Sequence, residues 1–143
     1  MWVVEVGGDP VGFVQDYRIR DYPETAVLVP DPDAVGVDYL IGEVEWTGRG
    51  VGRRMLTSWF ELAQGGYPDA ETYFAAPDHR NRASRNLLLS VGFVEGAWFD
   101  EPQRDGTLLS LVGHSLEVRR LREQRRERQG TSRQTGCGTH GEQ

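Results

Sequence analysis

Apolar and polar positions alternate in short stretches at both ends of the chain and recur at helical spacing in the middle. Residues 2–6 (WVVEV) are a β-branched run, residues 7–10 (GGDP) a turn cluster, and residues 11–19 (VGFVQDYRI) a second run of strand type. Together they predict a hairpin. Residues 21–33 hold three prolines and read as loop. Residues 35–45 (VGVDYLIGEVE) predict a third strand, with Gly42 inside it as a bulge or a point of close backbone approach. Met55, Leu56, Trp59, Phe60, Leu62 and Ala63 then recur at i, i+3 and i+4, the stripe of an amphipathic helix, which the Gly65 to Pro68 cluster stops. Residues 71–76 (ETYFAA) predict a fourth strand, 77–81 a loop, and 82–91 a second helix ended by Gly92. Residues 93–99 and 107–116 predict two more strands around a turn-rich stretch at 100–106. The order is β-β-β-α-β-α-β-β. The central strand–helix–strand implies a crossover between parallel strands, and the outer hairpins imply antiparallel flanks. The expected fold is a mixed α/β sheet with flanking helices.

The pattern fades after residue 116. Residues 117–128 (EVRRLREQRRER) predict an exposed helix with only Val118 and Leu121 to bury, and residues 130–143 are rich in Gly, Thr, Ser and Gln, the composition of a disordered end. One domain over 1–116 and a tail over 117–143 follow. Charge divides at the same place. Residues 1–116 carry nine arginines against eighteen carboxylates, a balance of −9, whereas 117–143 carry seven arginines against four, a balance of +3. The acidic domain argues against nucleic acid and favours attraction of a cationic small molecule. No apolar run is long enough for a membrane span, and the start has no basic-then-apolar leader pattern. The single cysteine, Cys137, suits a reducing cytoplasm. Cys137 and His140 have no companions at ligand spacing, so no metal site is expected.

The chemistry concentrates in VEWTGRGVGRRML, residues 44–56, where a strand meets a glycine-rich turn and then a helix. Gly48, Gly50 and Gly52 let a ligand approach the backbone, the helix N-terminus offers free N–H groups, and Arg49, Arg53 and Arg54 add positive charge. A pyrophosphate suits such a site. A Walker A loop is excluded because the chain has no lysine, and the alternating glycines do not give the dinucleotide pattern.

These residues carry a family resemblance. Gly48-Arg49-Gly50-Val51-Gly52 resembles the acetyl-CoA pyrophosphate loop of GNAT acetyltransferases, Gln/Arg-x-x-Gly-x-Gly/Ala, with Thr47 departing from its first position. Asn81 followed by Gly92-Phe93 resembles the family's Asn…Gly-Phe helix beside the CoA arm. The stretch from Gly36 to Gly42 is similar to that of aminoglycoside 6′-N-acetyltransferases, and residues 77–81 are similar to siderophore-type acyltransferases. The resemblance covers residues 2–116. It implies acetyl-CoA as cosubstrate, held by Ile41, Gly42, Val44, Gly48, Arg49, Gly50, Val51, Gly52, Arg53 and Asn81. The splay of the third strand from the fourth is expected at Gly42, with the pantetheine arm pairing along residues 41–44.

The implied reaction is direct transfer of acetyl to a primary amine of a small cationic acceptor, an aminoglycoside before a siderophore hydroxylamine, within a ternary complex. A CoA-binding module without turnover is the alternative. Asp38 is the expected amine anchor and base, Glu43 a second catalytic candidate, and Asp100, in an acidic turn with Glu101 and Asp105, an acceptor-binding candidate. Three departures stand out. Leu88 occupies the place of the family's tyrosine acid, Ala76 that of a second carboxylate, and the chain starts at the hairpin without the family's leading strand and two helices. A cytoplasmic monomer or homodimer is expected.

Overall fold

The computed structural model describes residues 1–42 and 50–135. Six strands form one sheet in the order β1-β2-β3-β4-β6-β5. They are β1 (Trp2–Val6), β2 (Asp9–Arg18), β3 (Val35–Ile41), β4 (Thr72–Ala75), β5 (Val94–Pro102) and β6 (Leu108–Glu117). The helices are α1 (Pro23–Ala26), α2 (Val51–Gly66), α3 (Arg82–Ser90) and α4 (Val118–Thr135). Only β3 and β4 run parallel, and every other neighbouring pair is antiparallel. The sheet is thus mixed and mostly antiparallel, as the pattern of the sequence predicts.

Strand alternation splits β3 between two faces. Val35 and Val37 are buried, and Tyr39 and Ile41 pack beside them on the helix side. Gly36, Asp38 and Leu40 point the other way. The helix side holds the main core. Along α2 the buried residues Val51, Met55, Leu56, Trp59, Phe60 and Ala63 form one stripe, as amphipathic spacing requires, and they meet Tyr73, Leu88, Phe93 and Leu116. On the far side Ile19, Val29, Ala34 and Phe74 make a smaller core, flanked by Tyr17 and Phe99.

Asp16 on β2 ties the helix side together. Its carboxylate accepts hydrogen bonds from Trp59 Nε1 at 2.9 Å, Tyr67 Oη at 2.7 Å and Trp2 Nε1 at 3.2 Å. Burial alone would raise its pKa, but the donors from Trp59, Tyr67 and Trp2 outweigh burial and leave it below the ordinary value.

Several boundaries differ from the expectation. Val27 and its neighbours follow a short helix, α1, started by Pro23 at its first turn, where the sequence reads as loop. Among the described residues β3 ends at Ile41, and Gly42, just beyond it, donates its N–H to Val11 O at 2.7 Å; residues 43–45 of the expected strand lie outside the described residues. β5 runs on through Asp100, Glu101 and Pro102, residues expected in a turn, because each pairs across to β6. α4 continues to Thr135 through residues expected to be disordered. Its first turn is anchored by buried Val118, Arg122 donates to Pro68 O at 3.1 Å, and the Arg/Glu/Gln run has high helix propensity.

Candidate active site

β3 and β4 pair at only two positions, Val35 with Tyr73 and Gly36 with Phe74. From Val37 onward the strands diverge. The split therefore opens at Val37, five residues before the Gly42 expected from the sequence. Its cause is pairing: β2 holds β3 along seven consecutive positions, while β4 ends at Ala75 and its chain bends away towards an isolated bridge between Asp78 and Leu111. Among the described residues, no strand pairs with the β4-facing edge of β3 beyond Gly36, so backbone donors and acceptors there remain available to an extended ligand.

The split is a cleft of about 140 Å³ lined by Val37, Asp38, Tyr39, Ala75, Ala76, Pro77, Asn81 and Ser84. A roomier hollow of about 410 Å³ lies between β1 and α2, but its lining is mainly Trp2, valines, Met55 and Leu62. The small cleft brings together residues from both faces of the sheet. Tyr39 and α3 stand on one side and Asp38 on the other.

The two helices beside the cleft begin differently. Asn81 caps α3, its Oδ1 accepting the Ser84 N–H at 3.1 Å. At the start of α2, Gly50 takes φ 74° and gives no side-chain cap. That left-handed backbone is costly for other residues. Among the described residues no side chain caps these first-turn N–H groups, and with exposed Arg53 and Arg54 alongside they suit an anion. Gly52 has a packing reason to be glycine: a Cβ there would stand 2.9 Å from Leu87 Cδ2 and 3.4 Å from Ile41 Cδ1. α2 is thus drawn close to α3 and β3 at the mouth of the cleft.

On the far face Asp38 keeps solvent on one side. The protein around it strips water from the carboxyl and raises its pKa, and the Glu101 carboxylate adds repulsion in the same direction. Tyr17 sits close by, its ring 2.6 Å from where a Cβ at Gly36 would lie. Burial, followed by the charges of Asp38 and Glu101, pushes the Tyr17 hydroxyl well above the ordinary tyrosine range. Asp100 is tied elsewhere, accepting the Ser110 hydroxyl at 2.6 Å. Hence Glu101, not Asp100, is the β5 carboxylate that senses Asp38.

In the cleft, Tyr39 Oη lies 2.5 Å from Ser84 Oγ. Burial raises the Tyr39 pKa, the Ser84 hydrogen bond opposes it, and Asp38 adds to the rise, so the phenol keeps its proton at neutral pH. Leu88 is fully buried in the main core and lines none of the cleft. His79 is a packed loop residue, its Nδ1 3.1 Å from Ser110 O and its ring 5.4 Å from that of Trp98.

Asp38 and Asn81 therefore meet at one cleft, and Gly50, Val51, Gly52 and Arg53 form the adjoining helix start. Ile41 and Gly42 lie further along the diverging edge. Glu43, Val44, Gly48 and Arg49 lie outside the described residues. The sequence reading missed Tyr39, Ser84 and Tyr17. Ser84 had one signal, its place one helical turn after Asn81. Among the described residues no group of three or more His, Cys, Asp or Glu can hold a metal ion, and no helix is long and apolar enough to cross a membrane.

A mixed sheet split between its parallel strands, with two helix starts at the split, is the architecture of the GNAT acetyltransferases. The family model described as the acetyltransferase (GNAT) domain matches residues 1–101, and the chain belongs to that family. Among solved structures, aminoglycoside acetyltransferase AAC(6′)-Ib in complex with coenzyme A and kanamycin is similar with a TM-score of 0.61 at 21% identity, covering 77% of this chain and 63% of that one. YncA from Salmonella typhimurium, a putative acetyltransferase with its cofactor acetyl-CoA, gives a TM-score of 0.61 at 21% identity over 80% of this chain and 61% of that one. An N-acetyltransferase from Staphylococcus aureus Mu50 gives 0.62 at 19% identity over 81% and 66%. The chain thus spans less than two thirds of the length of the AAC(6′)-Ib and YncA structures. A search of curated protein sequences finds no match.

Proposed function

We propose that the chain transfers an acetyl group from acetyl-CoA to a primary amine of a small cationic acceptor. The observation that carries this reading is the divergence of β3 from β4 after the Gly36–Phe74 pair, which opens a cleft between an anion-ready helix start and an isolated carboxylate. The residues fit the cosubstrate. The uncapped start of α2 with Gly50 to Arg53 suits the pyrophosphate, and the free edge of β3 with Asn81 suits the pantetheine amides.

Each side chain then has a task. Asp38 takes the proton that an ammonium must lose before its nitrogen can attack. As the C–N bond forms and the C–S bond breaks, the departing thiolate needs a proton. Tyr39, protonated and lining the cleft on the helix side, is the available donor, in the role that Leu88 cannot fill from the core. Backbone N–H groups of the β3 edge polarise the thioester carbonyl.

The acidic balance of the domain, with Asp38 and Glu101 on the acceptor side, supports a cationic acceptor. So does the likeness to AAC(6′)-Ib, whose structures hold kanamycin or ribostamycin with coenzyme A. An aminoglycoside is the preferred acceptor. The test is isothermal titration with acetyl-CoA, followed by kanamycin in the same cell. Acetyl-CoA binding in the micromolar range with acetylated kanamycin as product is the expected result. No acetyl-CoA binding would sink the proposal, and binding without transfer would remove the aminoglycoside.

A further inference from the structure

A positively charged groove in this acidic protein lies away from the cleft's walls. α4 runs alongside α2 in the opposite direction, bridged to it by long side chains: Arg122 reaches Pro68 O just beyond the end of α2, and Arg125 Nη1 lies 3.4 Å from Glu61. Between α2, α4 and the end of α3 is a groove of about 930 Å³. Its charged lining is Arg53, Arg125 and Arg128 against the single carboxylate Glu61, an excess of two positive charges. Glu61 is already committed to Arg125. Arg53 and Arg128 have no carboxylate partner among the described residues. The groove is open and its lining is too polar for a packing defect, and Arg53, in the first turn of α2, places one end of it at the helix start.

We propose that this groove receives the 3′-phosphate end of coenzyme A, with Arg128 of α4 and Arg53 of α2 as its phosphate partners. The inference rests on the acetyl-CoA reading above. A pyrophosphate at the α2 start leaves the ribose and its 3′-phosphate to be accommodated nearby, and the groove offers both room and charge of the right sign. Arginine suits the task because its fork donates two parallel hydrogen bonds to a phosphate. α4 then becomes part of the cosubstrate site, and the basic balance of the C-terminal segment acquires a ligand.

The test compares coenzyme A with 3′-dephospho-coenzyme A by isothermal titration of the full chain, for wild type, Arg128→Gln and Arg120→Gln. Arg120 is exposed and lines none of this groove. Wild type is expected to bind coenzyme A about tenfold more tightly than the dephospho form, as one charge-assisted contact implies. Arg128→Gln should abolish most of that ratio while leaving dephospho-coenzyme A unchanged, and Arg120→Gln should keep it. The wild-type ratio should shrink as salt is raised. A wild-type ratio of one, or equal weakening of both ligands in Arg128→Gln, overturns the inference and leaves the acetyl-CoA reading standing. Binding of neither ligand overturns that reading and the inference with it.

Discussion

The two faces of the sheet follow different rules. The helix face is closed: Leu56, Trp59, Tyr73 and Leu88 have almost no solvent contact, and the half-buried carboxylate of Asp16 has three donors. The far face is thin. Its small core rests on four buried residues, and beyond it burial and the nearby Glu101 carboxylate raise the cost of ionising Asp38. Stability and chemistry are thus separated by the thickness of one strand. The closed face is held by close packing around a carboxylate with three donors, whereas on the open face Asp38 keeps contact with solvent.

This contrast can be broken by experiment. Leu56→Ala on the closed face should cost about 3–4 kcal/mol in urea unfolding, the range for a fully buried leucine. Phe99→Ala on the open face, where the ring is half-buried, should cost about half as much or less. Equal losses would mean that the two faces are not different in kind. Asp38→Asn should lower kcat about a hundredfold with unfolding and acetyl-CoA affinity unaltered. Because burial and Glu101 hold its pKa above the ordinary value, the wild-type kcat/KM should fall as pH drops through that raised pKa, and the variant should lack this limb. Unchanged turnover in Asp38→Asn would empty the open face of its role.

Asp16→Asn sharpens the closed side. It should cost about 1–2 kcal/mol at neutral pH, since the site is partly solvated. The folded pKa of Asp16 is depressed, so its contribution is fully present above the unfolded value and is lost as pH falls through the folded one. The gap between wild type and variant should therefore close in acid, and a gap that persists would show that the ionised carboxylate is not what matters. The smallest effect is expected at the border between the faces. Asn81→Ala should cost about 1 kcal/mol through loss of the α3 cap, and Asn81→Ser should restore it. If serine restores stability but not acetyl-CoA affinity, the cap and the cosubstrate roles of Asn81 separate.

Local pattern made some of this legible and hid the rest. The α2 stripe and the strand order could be read because each rests on the spacing of neighbouring residues. The place where β3 leaves β4 could not, since it depends on how long β2 grips β3 and where β4 ends. Gly42 drew attention as a glycine in a strand-like run, yet the divergence begins at Val37, an ordinary β-branched residue. Asp38 and Asn81 were found through family likeness, while Tyr39 and Ser84, 45 positions apart in the chain, became partners only once α3 was folded onto the sheet. Glu101 was legible only as part of an acidic turn. Pairing with Leu109 makes it strand and brings its charge to bear on Asp38.

The ring of Tyr17 over Gly36 has a consequence for how this sequence can drift. A methyl group at position 36 would stand 2.6 Å from that ring, and Gly36 is also the last residue of β3 to pair with β4. Neither position is free to change alone. A larger residue at 36 becomes tolerable only once position 17 has become small, and the reverse order of steps passes through a gap on the acceptor face. The two sites, nineteen positions apart along the chain and side by side in the register of β2 and β3, are coupled by contact, so substitutions at them are expected to be non-additive.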